Sequence, residues 1–420
     1  MRRIAVIAIC AALAGSLCHP VQAQPWRAIG PRIHKYCTDR GPTRDLSVLT
    51  NDSCKAVAGI DSTVLAYMKQ YSLVGAQLAV MRGDSLLYAK GYGWADRESG
   101  IRMQPCNRMR IASVSKLMTS IGIMKLYEQG FLSLEDRPFD KGGVLEKYAV
   151  RMRDQRIKDI TIEQLLRHKG GFTAPGDDPM FVVGMLDGRE ALRKEIAGTM
   201  LGYTPGESQE YSNLGYFALS LVIEETTGQK YADWMQHNVF YPCQCHSFAI
   251  GGNFLCDRLD REVRYYMYQG ARLERDFRGG SAPECPCCYG GNNVTGLEGA
   301  GAWTTTAPEL CRIIAAIDND RSIRDLLSES TVQRMTEETD SVSYSIGWSD
   351  TNHVGIWTRT GYFGGTSAIV KNYSWDGDCW VFITNTSTRF RSRFSKKSAQ
   401  LIMSLREHYL NQLPSRDLFH

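Results

Sequence analysis

The 420-residue chain lacks the short motifs that announce several common chemistries. There is no Gly-x-Ser-x-Gly elbow, no His-Glu-x-x-His, no P-loop and no Gly-x-Gly-x-x-Gly opening a helix. None of its eight His residues forms a close metal-like pair. It has no internal repeat, no low-complexity tract and, beyond its first residues, no apolar run approaching a membrane helix. Charge is nearly balanced, 49 basic against 45 acidic residues, which gives no reason to expect a nucleic-acid or anionic-membrane partner. With 43% hydrophobic and 22% charged residues the composition is that of a globular chain with a sizeable core, not a disordered, collagen-like or coiled-coil one.

The first residues read as a secretory signal peptide over 1–23. Arg2 and Arg3 form a basic start, and Ile4 to Leu17 is apolar but short of the roughly 20 residues that span a bilayer. Val21-Gln22-Ala23 supplies a small-residue cleavage site. The expected mature protein is secreted or periplasmic, without stable membrane insertion. That compartment permits disulfides. Cys37 with Cys54, and a cluster of Cys243, Cys245, Cys256, Cys285, Cys287 and Cys288, are candidates for them. Their spacings do not match zinc ligation.

Along the chain, residues 24–55 are a polar extension and 56–412 the expected folded domain, with 413–420 as a tail. Helical spacing runs over Ala56 to Met68, with Val57, Ile60, Val64, Leu65 and Met68 on one face. Gly75 to Met81 and Leu86 to Tyr92 read as strands around a Gly83-Asp84 turn. An apolar helix spans Ser113 to Gln129, stopped by Gly130. A mostly helical subdomain follows over about 132–240, including Ile162 to Leu166, Arg189 to Ile196 and Asn213 to Thr227. A Cys-rich insertion fills about 241–300. Strands return at Ser343 to Trp348, Gly355 to Arg359, Thr366 to Tyr373 and Cys379 to Thr384, before an amphipathic helix around Leu401, Ile402, Leu405 and Tyr409. Strands at both ends predict one α+β domain: an antiparallel sheet built from both ends of the chain, flanked by helices, with a helical subdomain inserted.

Three short elements carry chemistry. Ser113-Val114-Ser115-Lys116 is a Ser-x-x-Lys at a helix start, and Ser113 is the only serine with Lys three residues later. Residues three apart share a helical face, and a desolvated amine can take a hydroxyl proton. Tyr211-Ser212-Asn213 opens another helix. A phenol beside an ammonium would have a lowered pKa and could carry protons, while the plainer role for Asn213 is an N-cap. Arg359-Thr360-Gly361 ends a strand. There Thr360 could bond a substrate carboxylate or carbonyl, Gly361 would allow close approach, and the N–H groups of Ser113 and Tyr362 could form an oxyanion hole. Rival matches stand at Val294-Thr295-Gly296, without strand flanks, and at Tyr409-Leu410-Asn411, where Tyr409 reads as packing.

In this order the three elements resemble the serine β-lactamase and penicillin-binding-protein superfamily, and within it the class C β-lactamase-like branch with its Ser-x-x-Lys, Tyr-x-Asn and Lys-Thr-Gly or His-x-Gly motifs. Leu165-Leu166-x-His168 with Gly170-Gly171, Pro205-Gly206 through Gly228, and Ala300-Gly301-Ala302 before Thr304 extend the likeness over roughly 56–410. The resemblance implies that Ser113 is acylated, that Lys116 activates it and that Tyr211 works with Lys116 as general acid and base. It implies that Asn213 orients substrate and that Arg359 and Thr360 line the opposite wall. No metal or cofactor is implied, and the partner is a small-molecule or short peptide or ester substrate. Arg359 departs from the family's usual Lys or His, and the Cys-rich stretch has no evident counterpart. The expected activity is acyl transfer from an ester, a D-amino-acid peptide or a β-lactam-like amide. The alternative is a non-catalytic binder of peptide or cell-wall fragments in a retained cleft.

Overall fold

The computed structural model describes residues 44–172, 178–184, 187–318, 325–337, 344–352 and 354–420. The signal-peptide expectation, most of the 24–55 extension and Cys37 lie outside them. A first helix, α1 (Ala58–Tyr71), is followed by strands β1 (Gly75–Arg82), β2 (Ser85–Asp96), β3 (Ile101–Arg102) and β4 (Met109–Arg110). Helices α2 (Ser115–Glu128), α3 (Ile162–Leu166), α4 (Gly188–Gly198), α5 (Asn213–Thr227) and α6 (Tyr231–Met235) come next. The insertion carries β5 (Ala249–Ile250), after which come β6 (Trp303–Thr305), α7 (Ala307–Ala315) and α8 (Glu329–Thr336). Strands β7 (Asp350–Thr351), β8 (Ile356–Phe363), β9 (Thr366–Tyr373) and β10 (Asp378–Thr384) precede the long α9 (Arg391–Tyr409).

The main sheet has the order β3-β2-β1-β10-β9-β8-β7. Its pairs are antiparallel, and β1 of the early chain lies against β10 of the late chain, Ala76 opposite Thr384 through Arg82 opposite Asp378. The sheet is thus built from both ends, as the order of elements predicts. The β1–β2 turn is Gly83-Asp84, both at positive φ, the geometry whose twist matches a hairpin. Strands β9 and β10 are buried along their whole length, because helices cover both faces. On one side α9 buries Leu401, Ile402 and Leu405 and meets α1, where the Tyr409 ring occupies the space a side chain on Gly59 would need. On the other side α7 packs against β1, β2 and β10. Helix α2 is buried from Ser115 to Leu126, so it is a central strut and not an amphipathic surface helix. It ends as expected at Gly130, φ +72, with the Phe131 N–H returning to the Leu126 carbonyl.

Four expectations are corrected. Leu65 is exposed, and Tyr67 takes the buried position on α1, its ring edge-on to Phe382 of β10. No strand forms over 344–348; the chain turns at Gly347, φ +82, and drops onto Ser120 and Leu117 of α2. The first part of the helical subdomain, 132–161, holds only two 3-10 turns, Glu146–Tyr148 and Gln155–Asp159. Among the described residues no disulfide joins Cys243, Cys245, Cys256, Cys285, Cys287 and Cys288 to one another. Several pack as small polarisable groups, with Cys245 Sγ on the Glu309 carbonyl and Cys288 Sγ on that of Tyr265. Residues on both sides of the expected 56–412 unit join its core: Leu46, Leu49, Leu418 and Phe419 are buried, and Leu418 N–H bonds the Leu86 carbonyl. Among the described residues no helix is long and apolar enough to cross a membrane.

A buried carboxylate ties α7 to the base of the insertion. Glu309 is 1% exposed and accepts the N–H groups of His246 and Ser247 and the Thr305 hydroxyl. Glu309→Ala leaves those donors without an acceptor and is expected to destabilise the fold by about 2–4 kcal/mol. Urea unfolding checks this, an unchanged midpoint counting against it.

Candidate functional site

Ser113 lies in a 3-10 turn, Ala112–Val114, between β4 and α2. The turn enters through Ala112 at φ +48, a left-handed conformation that non-glycine residues hold only under constraint. One constraint is visible. Gly361 of β8 comes so near that a side chain on it would begin 2.2 Å from the Ile111 carbonyl oxygen and 3.0 Å from the Ser113 nitrogen. Only a residue without Cβ admits this contact.

The Ser113 hydroxyl receives a hydrogen bond from the Tyr211 phenol, O···O 2.6 Å. The predicted direct contact with Lys116 gives way to a different one, because Ser113 precedes α2 in the tighter turn. Lys116 is fully buried, and its Nζ donates to Asn213 Oδ1 at 2.7 Å and to the Ala300 carbonyl at 2.5 Å. Burial drives its pKa well below the ordinary lysine value; Arg359 adds to the shift and Asp178 opposes it. A neutral amine has two N–H bonds, and both are engaged by these acceptors, which leaves its lone pair available. Its Nζ also lies 4.7 Å from the centre of the Tyr211 ring.

Tyr211 corrects a second expectation. Burial raises its phenol above the ordinary tyrosine value, and the opposing pull of Arg359 and the Ser113 bond is smaller. Desolvation outweighs these attractions, which favours the phenol as a neutral donor. The N-cap of α5 is Ser212, whose Oγ accepts the Gly215 N–H. That frees the Asn213 side chain, and its Nδ2 donates to Asp178 Oδ2 at 2.7 Å. The amide is thus held between Lys116 and Asp178, while its Nδ2 carries a second N–H.

Arg359 also differs from expectation. It is 1% exposed, and its Nε donates to the Ser113 carbonyl at 2.8 Å, so it stands behind the serine and not on the cleft wall. Thr360 is half-buried, and its hydroxyl has no hydrogen-bond partner among the described residues. Along β8, the Thr358 carbonyl takes Ser349 N–H and the Thr360 N–H goes to Ser349 Oγ. Alternation then directs the Tyr362 N–H off the same open edge, beyond the end of β7. The rival Val294-Thr295-Gly296 is committed to the insertion, with Thr295 Oγ1 on the Gly251 carbonyl.

Two participants escaped the sequence. Asp178 stands in a loop far from Asn213 in the chain, and Asp178-Pro179 reads only as a turn start. The Ala300 carbonyl belongs to the backbone, which no motif displays. Two residues earlier Glu298 has φ +38, a conformation held under constraint, and Arg189 grips its carboxylate at 3.1 Å.

A family model for Beta-lactamase matches residues 60–401. Among relatives, Protein flp of Staphylococcus aureus is 28% identical over 194 residues, covering 46% of this chain and 38% of that protein. The chain therefore spans about two fifths of that relative's length. Penicillin-binding protein 4* of Bacillus subtilis is 23% identical over 353 residues, 81% of this chain and 73% of that one. Among solved structures, the D-amino acid amidase of Ochrobactrum anthropi SV3, complexed with D-phenylalanine, superposes with a TM-score of 0.67 at 20% identity, over 84% of this chain and 98% of that one.

If Asp178 holds the amide that holds Lys116, Asp178→Ala slows labelling of Ser113 by a fluorophosphonate about tenfold or more, the expected loss for one charged hydrogen bond. Asp178→Asn keeps an acceptor and stays close to the unsubstituted rate. Mass spectrometry of the adduct against time reads both, and equal rates in all three proteins remove Asp178 from the network.

Proposed function

This chain belongs to the beta-lactamase family, and we propose that it is an exported serine hydrolase working through an acyl-serine intermediate. Its substrates are of one chemical kind, a carbonyl carrying a leaving group: an ester, a D-amino-acid peptide or amide, or a β-lactam-like amide. The observation that carries this reading is the 2.6 Å bond from the Tyr211 phenol to Ser113 Oγ, beside a buried lysine whose pKa is driven down. A binding protein has no need of such an arrangement, since desolvating an amine opposes stability.

In acylation, Ser113 Oγ attacks the carbonyl carbon and its proton passes to the free electron pair of Lys116, a contact absent from the resting site and made as substrate binds. The N–H groups of Ser113 and Tyr362 receive the oxyanion. As the bond to the leaving group breaks, the Tyr211 phenol gives that group its proton, and the new Lys116 ammonium restores the phenol. Water then attacks the acyl-serine carbonyl, with its proton taken by the same pair, and the Ser113 hydroxyl is regenerated. Arg359 stabilises negative charge from behind the serine and, as a guanidinium, moves no proton. The amidase likeness supports the D-amino-acid amide class, and the beta-lactamase family match supports acyl transfer in general.

Two outcomes test this. Incubation with a p-nitrophenyl ester or nitrocefin gives turnover that Ser113→Ala abolishes, and Lys116→Arg, permanently charged, loses about a thousandfold or more. The pH dependence has a defined sign. Lys116 must be neutral, so kcat/KM falls as pH drops through its lowered pKa; Tyr211 must be protonated, so activity declines only above the ordinary tyrosine range. A rate that keeps rising with pH as an unperturbed lysine titrates refutes the role given to Lys116.

A further inference from the structure

We infer that His168 is the positioning residue for the Tyr211 phenol: it grips the backbone on both sides of Tyr211 and packs against its ring at a tilt. The inference rests on the reading of Tyr211 as proton carrier. His168 follows α3 and is 2% exposed. Its carbonyl accepts the Glu210 N–H at 3.0 Å, and its Nδ1 accepts the Ser212 N–H at 3.1 Å. One residue therefore fixes positions 210 and 212, and the side chain between them has little freedom to swing. The imidazole lies 4.6 Å from the Tyr211 ring centre, 4.9 Å from Tyr216 and 4.8 Å from Tyr344. A second phenol, from Tyr203, also reaches the His168 carbonyl.

Three features set this histidine apart from ordinary packing. Its backbone is left-handed, φ +56, a conformation that holds the ring and the carbonyl toward one strand of chain. Its Nε2 is buried with no hydrogen-bond partner among the described residues, an unfavourable arrangement that a phenylalanine filling the same space would avoid. What histidine contributes in return is the acceptor at Nδ1. That acceptor exists only in the neutral ring, and the surroundings enforce neutrality. Burial lowers its pKa well below the ordinary histidine value, with Lys116 of α2 and Arg359 of β8 adding to the shift; the other titratable groups facing it are the phenols already named. Burial thus favours the neutral ring that the clamp requires.

Three variants of the full chain separate the clamp from bulk packing. His168→Asn puts a carbonyl oxygen near the place of Nδ1 and suits left-handed backbone. His168→Gln moves the acceptor one bond too far, and His168→Phe keeps a ring without an acceptor. The expected result is a kcat about ten- to a hundredfold lower in the Phe and Gln variants with KM little changed, and near recovery in the Asn variant. Crystal structures give a readout independent of activity: the phenol leaves Ser113 Oγ in His168→Phe and stays on it in His168→Asn. Equal losses in all three variants, or a retained Tyr211–Ser113 bond in His168→Phe, overturn the inference. Should the unsubstituted protein neither label at Ser113 nor turn over esters, the hydrolase reading fails, while the crystallographic comparison still decides whether His168 places Tyr211. A Phe variant that does not fold leaves the Asn–Gln pair to decide.

Discussion

An ammonium taken out of water must be paired, stabilised by acceptors or discharged, and the fold around Lys116 is organised by that constraint. Two neutral oxygens, from Asn213 and Ala300, receive its N–H bonds, and Asp178 is linked to it by hydrogen bonds through the Asn213 amide. Arg359 contributes a second buried cation on the other side of Ser113. Two cations in a low-dielectric interior repel, and a guanidinium does not give up its proton in proteins. The lysine is the partner that can. Arginine at the third motif, where the family commonly has lysine or histidine, therefore works in the same direction as burial.

That constraint explains features that otherwise look unrelated. Helix α2 is buried on all sides because its first turn must carry the lysine into the core. The turn that presents the Ala300 carbonyl to Lys116 also contains the left-handed Glu298. Ser212 takes the capping duty at α5 and so leaves the Asn213 amide to bridge lysine and aspartate. The strand edge closes the arrangement, since Gly361 lets β8 touch the serine turn and sets Arg359 behind it.

The Cys-rich stretch acts as a collar for the cleft and not as a cross-linked appendage. Gly364 and Gly365, at the β8–β9 turn, press on Cys287, Cys288 and Tyr265. The Gly184 N–H bonds the Phe277 carbonyl, which ties the loop bearing Asp178 to the same insertion. Phe181 of that loop and Phe363 of β8 then approach to 6.1 Å between ring centres. The insertion thereby braces both the loop that orients Asn213 and the strand that carries Arg359.

Local pattern alone determined a good deal. The positions of β1, β2, β9, β10, α5 and the terminal helix follow from spacing of apolar residues and from glycine stops, because strand and helix periodicity are properties of neighbours in the chain. Ser113, Lys116, Tyr211 and Arg359 were also legible, since each sits in a short motif. The direction of charge was not: Tyr211 was expected to have a lowered pKa and has a raised one, because desolvation depends on what surrounds a group in space. Asn213 as a bridge, Asp178 as its anchor, Arg359 behind the serine and the Ala300 carbonyl all join segments far apart in the chain. Such pairings leave no trace in spacing, and only the folded arrangement, by closing the sheet between the first and last strands, decided which oxygen meets which proton.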